Sequence, residues 1–298
     1  MKTKHLRLMQ RAYVILFFCF MYLPIAYMVV FSFNQSKGYA LFTGFTFKWY
    51  TSLLHNESIL HALWVSLYLA LFSAVIATVL GTAASLGIAS MGRKSRLVVT
   101  NITYIPVVNP EIITGISLML LFVAYQRFAT QSAWLPDNIM GLPTLLIAHI
   151  MFCIPYVMLS VTPKLRSLDP NLIDAAMDLG ATPFQALAKV IVPQIKPGIV
   201  SGALIAFTMS FDDFVISYFT TGNGVNNISI LVYTMSKRVN PSINALSTIV
   251  ILLITLVLGV VNIVPIVREK REKDGKSSRA VSRKAMAAVA AVLVLAVV

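Results

Sequence analysis

Six long apolar stretches constrain this chain more than any other feature of its sequence. Each is about 20 residues or longer, the length that a helix needs to cross about 30 Å of hydrocarbon. Helices are expected because lipid offers no hydrogen-bond partner to an unpaired backbone group. The chain is 58% hydrophobic and 12% charged, so we predict an all-α integral membrane protein rather than a soluble enzyme. The six predicted transmembrane helices cover residues 12–33, 62–90, 98–125, 142–162, 199–220 and 247–267.

Lysine and arginine are distributed unevenly between the two ends of these spans. Nineteen of the 24 lie in the N-terminal segment, in the second and fourth loops, or after the sixth span. Because basic loops remain in the cytoplasm, both ends of the six-helix unit are predicted to be cytoplasmic. This bias accounts for the net charge of +13 without a nucleic-acid partner. The five basic residues on the other side are Lys37, Lys48, Arg127, Lys237 and Arg238.

The spans divide the chain into four predicted segments. They are a cytoplasmic N-terminus (1–11), a six-helix domain (12–268, with a loop at 163–198), a basic cytoplasmic tail or linker (269–284) and a short apolar segment (285–298). As a helix, the last segment reaches about 21 Å, which is too short to cross a bilayer comfortably. Two interpretations stay open for it, a loose apolar tail or the start of a signal-anchor that leads into an exported domain.

Three acidic side chains fall inside the predicted spans, whereas lysine and arginine do not. They are Glu111, Asp212 and Asp213. An ionisable group costs roughly 2.5–3.5 kcal/mol at the membrane centre, so such residues usually face a polar path or a partner. Carboxylates without an internal base suit a cationic solute, and we expect these three to line or bias a cation path. Since neighbouring helical residues point about 100° apart, only one of Asp212 and Asp213 is expected to face that path directly.

Two prolines precede Glu111 in the third predicted span. Proline removes a backbone donor and clashes with the preceding turn, so this helix should be kinked or broken at Pro106 or Pro110. A broken helix at membrane depth is tolerated where it lines a cavity. The alternative interpretation is a packing kink beside a protonated Glu111.

The loop between the fourth and fifth predicted spans carries clear helix signals. Asp169 and Pro170 predict an N-cap and a first helical position, and Gly180 predicts the helix end. Thr182 and Pro183 predict the start of a second short helix. A helical elbow on the cytoplasmic side suits docking into a groove of a partner protein, and the alternative is a helix that lies on the membrane surface. Two prolines are predicted to end the segment before the fifth span, and they are Pro193 and Pro197.

The segment Asp174–Gly180, followed nine residues later by Val190–Pro193, resembles the EAA loop of ABC importer permeases. That pattern is Glu-Ala-Ala, three residues, glycine, nine residues and Ile-x-Leu-Pro. This chain has Asp for Glu, and Val for both Ile and Leu. The resemblance extends to about residue 270 and is strongest to the second membrane subunit of spermidine/putrescine importers. The other segments that carry it are Gly44–Tyr50, Pro110–Ile112, Ser210–Asp213 and Tyr233–Leu246.

The resemblance implies the type I permease arrangement of an ABC importer in a bacterial plasma membrane. The cytoplasmic coupling-helix loop then lies between helices 4 and 5. The implied partners are a second permease subunit, two copies of an ATP-binding cassette subunit that hydrolyse ATP, and an extracellular polyamine-binding protein. The apolar run after Lys284 would match a fusion with that binding protein. The residues assigned to the coupling elbow are Asp174, Ala175, Ala176 and Gly180.

No catalytic, cofactor or metal site is predicted. Gly87–Ser95 is a near miss to a P-loop, because Arg93 takes the lysine position and no strand precedes it. The four histidines lack metal-ligand spacing, and His149 is predicted to be a packed helix histidine. Three other functions stay open, namely an ABC permease for another solute such as thiamine or an anion, a stand-alone cation transporter or channel, and a membrane enzyme. The lack of membrane-embedded basic residues argues against the anion, and the lack of a catalytic constellation argues against the enzyme.

Overall fold

The computed structural model describes residues 2–38, 41–131, 139–222, 225–236, 241–252 and 255. Almost all of these residues lie in helices, and the one isolated bridge among them pairs Asn34 with Phe45. A π-helical turn at Leu187–Ile191 joins α8 to α9. The helices are α1 (Lys2–Phe31), α2 (Lys48–Leu54), α3 (Glu57–Ala89), α4 (Arg93–Val108), α5 (Glu111–Ala129), α6 (Leu142–Arg166), α7 (Leu172–Asp178), α8 (Pro183–Ala186), α9 (Val192–Asp212), α10 (Val215–Thr220), α11 (Ile228–Ser236) and α12 (Ser242–Leu252).

Several of these helices are long and apolar enough to cross a membrane, so the chain is a multi-pass membrane protein. Within the described residues α12 is shorter, and the rest of the predicted sixth span lies outside them. The predicted segments 269–284 and 285–298 also lie outside the described residues. The candidate spans are Met9–Phe31, Glu57–Ala89, Glu111–Ala129, Leu142–Arg166 and Pro183–Asp212.

The predicted third span, residues 98–125, is broken into two helices, as its prolines indicate. α4 ends at Val108 and α5 begins at Glu111, with Asn109 in an extended conformation (φ −75°, ψ 139°). Pro110 causes the interruption, because it has no N–H and its ring disfavours a helical conformation in the residue before it. Pro106 lies inside α4, so the predicted break is confirmed at Pro110 only.

The prediction that Pro193 and Pro197 end a segment before the fifth span is wrong. The helical path runs through both prolines, from Pro183 to Asp212. A proline ring inside an α-helix clashes with the carbonyl group four residues earlier. A π-helical turn ends at Ile191, two residues before Pro193, so the ordinary i→i−4 hydrogen-bond pattern is already replaced just before this proline. The predicted span 199–220 is interrupted instead after Asp212, before α10 begins.

The chain divides into two compact units, residues 1–60 with 232–298 and residues 61–231. In the first unit, Asn34 organises the segment between α1 and α2. Its Nδ2 donates to Leu41 O (3.0 Å), and its Oδ1 accepts from Thr43 N (2.8 Å). Trp49 Nε1 donates to Asn34 O at 2.7 Å. These bonds give the connection a defined structure although it lies between helices.

In the second unit, α6 packs closely against α9 at two glycines. A Cβ atom at Gly198 would lie 2.9 Å from Ser160 O, and one at Gly202 would lie 3.2 Å from Val157 Cα. Small residues thus allow the two backbones to approach, as is common between membrane helices. The main buried cluster of this unit contains Ala74, Ala77, Leu118, Phe122, Ala148, Phe152, Cys153, Val157, Val161, Ile195, Ala206 and Ile216.

Candidate functional site

The chain leaves helical geometry where α9 ends, and Asp213 stabilises that break. Asp213 has extended backbone angles (φ −62°, ψ 125°). Its Oδ1 accepts from Ile216 N at 3.3 Å and its Oδ2 from Ser217 N at 2.8 Å. The first N–H groups of a helix have no intrahelical partner, and a membrane interior supplies none. Asp213 is only 7% exposed, so its carboxylate serves the backbone of α10.

Asp212, by contrast, is exposed at the end of α9. The start of α5 packs against α10, because a Cβ atom added at Gly115, one turn after Glu111, would lie 3.5 Å from Val215 O. Glu111 is itself exposed in the first turn of α5, directly after the break at Pro110. Two interrupted helices therefore bring Glu111 and Asp212 into one electrostatic neighbourhood.

No basic side chain neutralises this pair in the part of the chain that the structure describes. The basic group found there near Asp213 is the imidazole of His149, whose Nε2 lies 3.6 Å from Asp213 Oδ2. Like charges that share a site repel each other unless a cation lies between them. The exposed carboxyl groups of Glu111 and Asp212 can therefore receive a cation.

A buried polar network supports the break. His149 on α6 is 1% exposed. Its Nδ1 is hydrogen-bonded to Ser210 Oγ at 2.7 Å, and its Nε2 to Ser217 Oγ at 2.9 Å. Ser210 belongs to α9 and Ser217 to α10, so one imidazole ring bridges the break. His149 is packed, as predicted, but sequence reasoning missed the bridge, and serines on both sides of the aspartate pair were the available signal.

The predicted elbow between α6 and α9 consists of α7, Gly180 and α8. Gly180 follows α7 with φ +88°, which confirms the predicted helix end. Gly180 N donates to Met177 O (2.8 Å) and Ala181 N to Ala176 O (3.1 Å), the two bonds of a Schellman motif. Thr182 caps α8, since its Oγ1 accepts from Gln185 N at 3.3 Å, which confirms the second predicted helix start.

The predicted start of α7 at Pro170 is wrong by two residues. α7 begins at Leu172, with Asn171 before it as the N-cap residue. Asp169 Oδ1 accepts from Asn171 N at 2.9 Å, which makes a local turn of the kind that aspartate favours. Asp174 lies in the first turn of α7 and is exposed together with Ala175 and Gly180, and Ala176 is half-buried.

Two large apolar side chains of the elbow are strongly exposed. Leu179 is 91% exposed and Phe184 is 76% exposed, and they lie on either side of Gly180 in the sequence. Exposed apolar groups that flank a turn are typical of a protein-binding surface. Sequence reasoning considered the small residues of the elbow and missed this pair.

Comparison with known proteins identifies the family. Residues 77–266 match the family described as binding-protein-dependent transport system inner membrane component. The chain belongs to this family. It is therefore a membrane permease component of a transport system that works with a binding protein, and it is not an enzyme.

Curated relatives match most of this permease. It is 40% identical over 241 residues to the putrescine transport system permease protein PotI of Escherichia coli strain K12, with 80% of this chain and 84% of the relative covered. It is 34% identical over 247 residues to the spermidine/putrescine transport system permease protein PotC of the same strain, with 83% and 89% covered.

Solved structures share the fold of this permease. A bacterial ABC transporter involved in the import of the acidic polysaccharide alginate matches with a TM-score of 0.64 and 19% identity, over 85% of this chain and 94% of that chain. A second structure, a bacterial alginate ABC transporter in complex with alginate pentasaccharide-bound periplasmic protein, matches with the same TM-score and identity over 87% and 94%. These likenesses show that the fold is that of an ABC importer permease.

Proposed function

We propose that this permease passes polyamine cations, putrescine or spermidine, that an extracellular binding protein delivers. The observation that carries the proposal is that the exposed Asp212 and the exposed Glu111 lie beside the packed starts of α10 and α5, with no lysine or arginine paired to either of them among the described residues. The names of the two relatives support the same solute class. Because a permease of this fold imports an acidic polysaccharide, the fold alone does not select the charge of the solute.

The three acidic residues have different roles in this proposal. Glu111 and Asp212 attract the ammonium groups of the solute, because each is exposed beside a helix interruption. Glu111 begins α5 and Asp212 ends α9. Asp213 biases the path indirectly by capping α10, since both of its oxygens accept backbone N–H groups. Phe211 directly precedes Asp212, and its ring stacks with that of Phe207 at a centroid distance of 6.1 Å. The faces of such aromatic rings attract cations.

The elbow is proposed to couple this path to ATP hydrolysis. Asp174, Ala175, Ala176 and Gly180 form the surface that meets an ATP-binding cassette subunit, with the small residues allowing close approach. Leu179 and Phe184 would fill apolar pockets on that partner, because exposed apolar anchors contribute most of the affinity at protein interfaces.

The complete importer is proposed to contain a second permease subunit and two copies of the cassette subunit. The excess of lysine and arginine in the N-terminal segment and in the loop of the elbow supports a cytoplasmic location for both. Two predictions concern the end of the chain. Residues 269–284 are predicted to be a cytoplasmic linker, and residues 285–298 to be the start of a fused binding protein.

Removal of the path carboxylates tests the proposed solute. The assembled complex in liposomes should take up radiolabelled putrescine when supplied with ATP and its binding protein. Asp212→Asn and Glu111→Gln should each lower this uptake by about tenfold, equivalent to about 1.4 kcal/mol for one lost ammonium–carboxylate contact. The matched control is Glu57→Gln, which removes an exposed carboxylate at the start of α3 and should leave uptake unchanged.

Three outcomes would contradict the proposal. Normal putrescine uptake by both path variants would remove Glu111 and Asp212 from the path. Uptake of thiamine but not putrescine by the unmodified complex would assign a different solute. Putrescine flux through the purified chain alone, without ATP, would indicate a stand-alone transporter instead of an ABC permease.

A further inference from the structure

We propose that His149 is a positioning residue for the cation path. Its ring holds α9 and α10 in register on either side of the break and so keeps Asp212 presented to the passing solute. This inference rests on the proposed function, because it concerns the carboxylate to which that function assigns the cation.

The imidazole ring has the geometry needed for this role. Its two nitrogens point in different directions and are joined by a rigid ring, so their separation cannot change. One nitrogen bonds Ser210, two residues before Asp212, and the other bonds Ser217, four residues after Asp213. With both bonds made, the end of α9 and the start of α10 are held to the same point on α6.

The same break is tied to one further helix, α3, and to the segment before α11. Ser73 Oγ on α3 lies 2.8 Å from Ser210 Oγ. Asn227, just before α11, donates from Nδ2 to Asp213 O (3.2 Å) and to Ser217 Oγ (2.7 Å). The two serines that His149 joins therefore each have a second partner that does not involve the histidine.

This redundancy predicts what the loss of His149 would do. Ser210 would keep its bond to Ser73, and Ser217 would keep its bond to Asn227, so neither hydroxyl would be left without a partner in the interior. What would be lost is the fixed distance between the two serines across the break. The permease should then assemble, but Asp212 would no longer have a fixed position.

The conservative replacements separate the two bonds of the ring. An asparagine amide is attached at Cγ, as Nδ1 is, so His149→Asn keeps a polar group facing Ser210 and withdraws from Ser217. A glutamine amide lies one carbon further out, near the place of Nε2, so His149→Gln keeps the bond to Ser217. Because the bridge needs both bonds, neither amide alone should restore the fixed distance between the two serines.

The decisive measurement is the number of putrescine molecules taken up per ATP hydrolysed, in liposomes that contain the full complex and its binding protein. A merely structural role would lower uptake and ATP hydrolysis together. For His149→Leu and His149→Asn we expect ATP hydrolysis per complex to be retained while the ratio falls about tenfold, since misplacement of a positioned group by about 1 Å can cost up to about 100-fold. His149→Gln should show a similar fall in the ratio, because it keeps only the bond to Ser217.

A double variant tests whether His149 acts through Asp212. His149→Leu combined with Asp212→Asn should transport no worse than Asp212→Asn alone, because two changes that act through one group are not additive. The inference is overturned if the ratio is unchanged in His149→Leu, or if uptake and ATP hydrolysis fall in proportion. It is also overturned if asparagine or glutamine restores the ratio, or if the double variant shows additive losses.

Failure of the proposed function and failure of the role of His149 would give different results. If the unmodified complex hydrolyses ATP but takes up no putrescine, the proposed solute is wrong and the inference falls with it. If the unmodified complex transports putrescine and Asp212→Asn impairs it, while the His149 variants transport normally, only the role of His149 is wrong.

Discussion

The break between α9 and α10 and the elbow around Gly180 are both helix interruptions, but they are stabilised in opposite ways. At the break, side chains from α3, α6 and the segment before α11 bond across long sequence distances to Ser210, Asp213 and Ser217. At the elbow, every described bond of Gly180, Ala181 and Thr182 joins residues within a few positions of one another.

This difference shows which contacts determine the backbone conformation of each interruption. The break lies in an environment that supplies no water, so its exposed backbone groups need partners from the rest of the fold. The elbow is exposed and needs only turn and capping residues, which leaves its large apolar side chains free for a partner protein. Tertiary contacts thus determine the break, and the local sequence determines the elbow.

The largest expected effect on uptake concerns the two exposed apolar side chains of the elbow. Leu179→Asp combined with Phe184→Asp should lower putrescine uptake by about 100-fold or more, because each lost anchor is worth about 2 kcal/mol at an interface. The thermal unfolding temperature of the permease should not change, since both side chains are exposed. The control is Met91→Asp, which places the same charge on an exposed apolar residue outside the elbow. Retained stimulation of ATP hydrolysis in the double variant would contradict the anchor role.

The next effect contrasts the two neighbouring aspartates at the break. Asp213→Asn replaces one acceptor oxygen by an NH2 group that faces a backbone N–H, so it should lower the free energy of unfolding by about 1–3 kcal/mol. Asp212→Asn makes the same atomic change on an exposed side chain and should leave that free energy unchanged. Denaturant unfolding of the purified complex measures both variants, and equal losses would remove the distinction between cap and path residue.

A smaller effect is expected from the backbone conformation of the elbow. Gly180→Ala should destabilise the end of α7 by about 1–2 kcal/mol, because a left-handed conformation places Cβ too close to the following carbonyl. Gly87→Ala is the matched control, since an added Cβ meets no atom within 4 Å at either position and only Gly180 has positive φ. Amide hydrogen exchange in α7 should accelerate in the first variant only. Equal exchange in both variants would exclude a conformational role for Gly180.

The smallest effect concerns the cap of α8. Thr182→Ala should cost about 1 kcal/mol of helix stability, since the N-terminal N–H of Gln185 loses its acceptor. Thr182→Ser keeps the hydroxyl group and should behave like the unmodified chain. Exchange of the Gln185 amide hydrogen reports this difference, and identical exchange rates in the two variants would show that α8 does not depend on its cap.

Several features of the elbow and of the third span followed from local signals. Gly180 and Thr182 were recognisable because a helix end and a helix start have preferred residues within one turn. The interruption at Pro110 was predicted because proline acts on its immediate neighbours. The start of α7 was misplaced because Asp169 can bond either a helix start or a short turn, and the sequence does not distinguish the two.

The features of the break did not follow from local signals. The exposed Asp212 and the buried Asp213 are adjacent and chemically identical, and only the backbone turn between them separates their roles. The bridge from His149 needs Ser210 and Ser217 at the right distance, which depends on how α6 packs against α9. The helix of the fifth span continues past Pro193 after a π-helical turn, and no sequence signal for that turn was recognised.

The sequence by itself determined the class of this protein, its helical spans, the acidic residues placed among apolar ones and the elbow, because length, hydropathy and capping act over short distances along the chain. Only the tertiary structure decided which aspartate is exposed, which groups hold the break and that Glu111 lies near Asp212. Those relations join residues far apart in the chain, and in a membrane interior without water they are set by which polar groups can reach one another once the helices have packed.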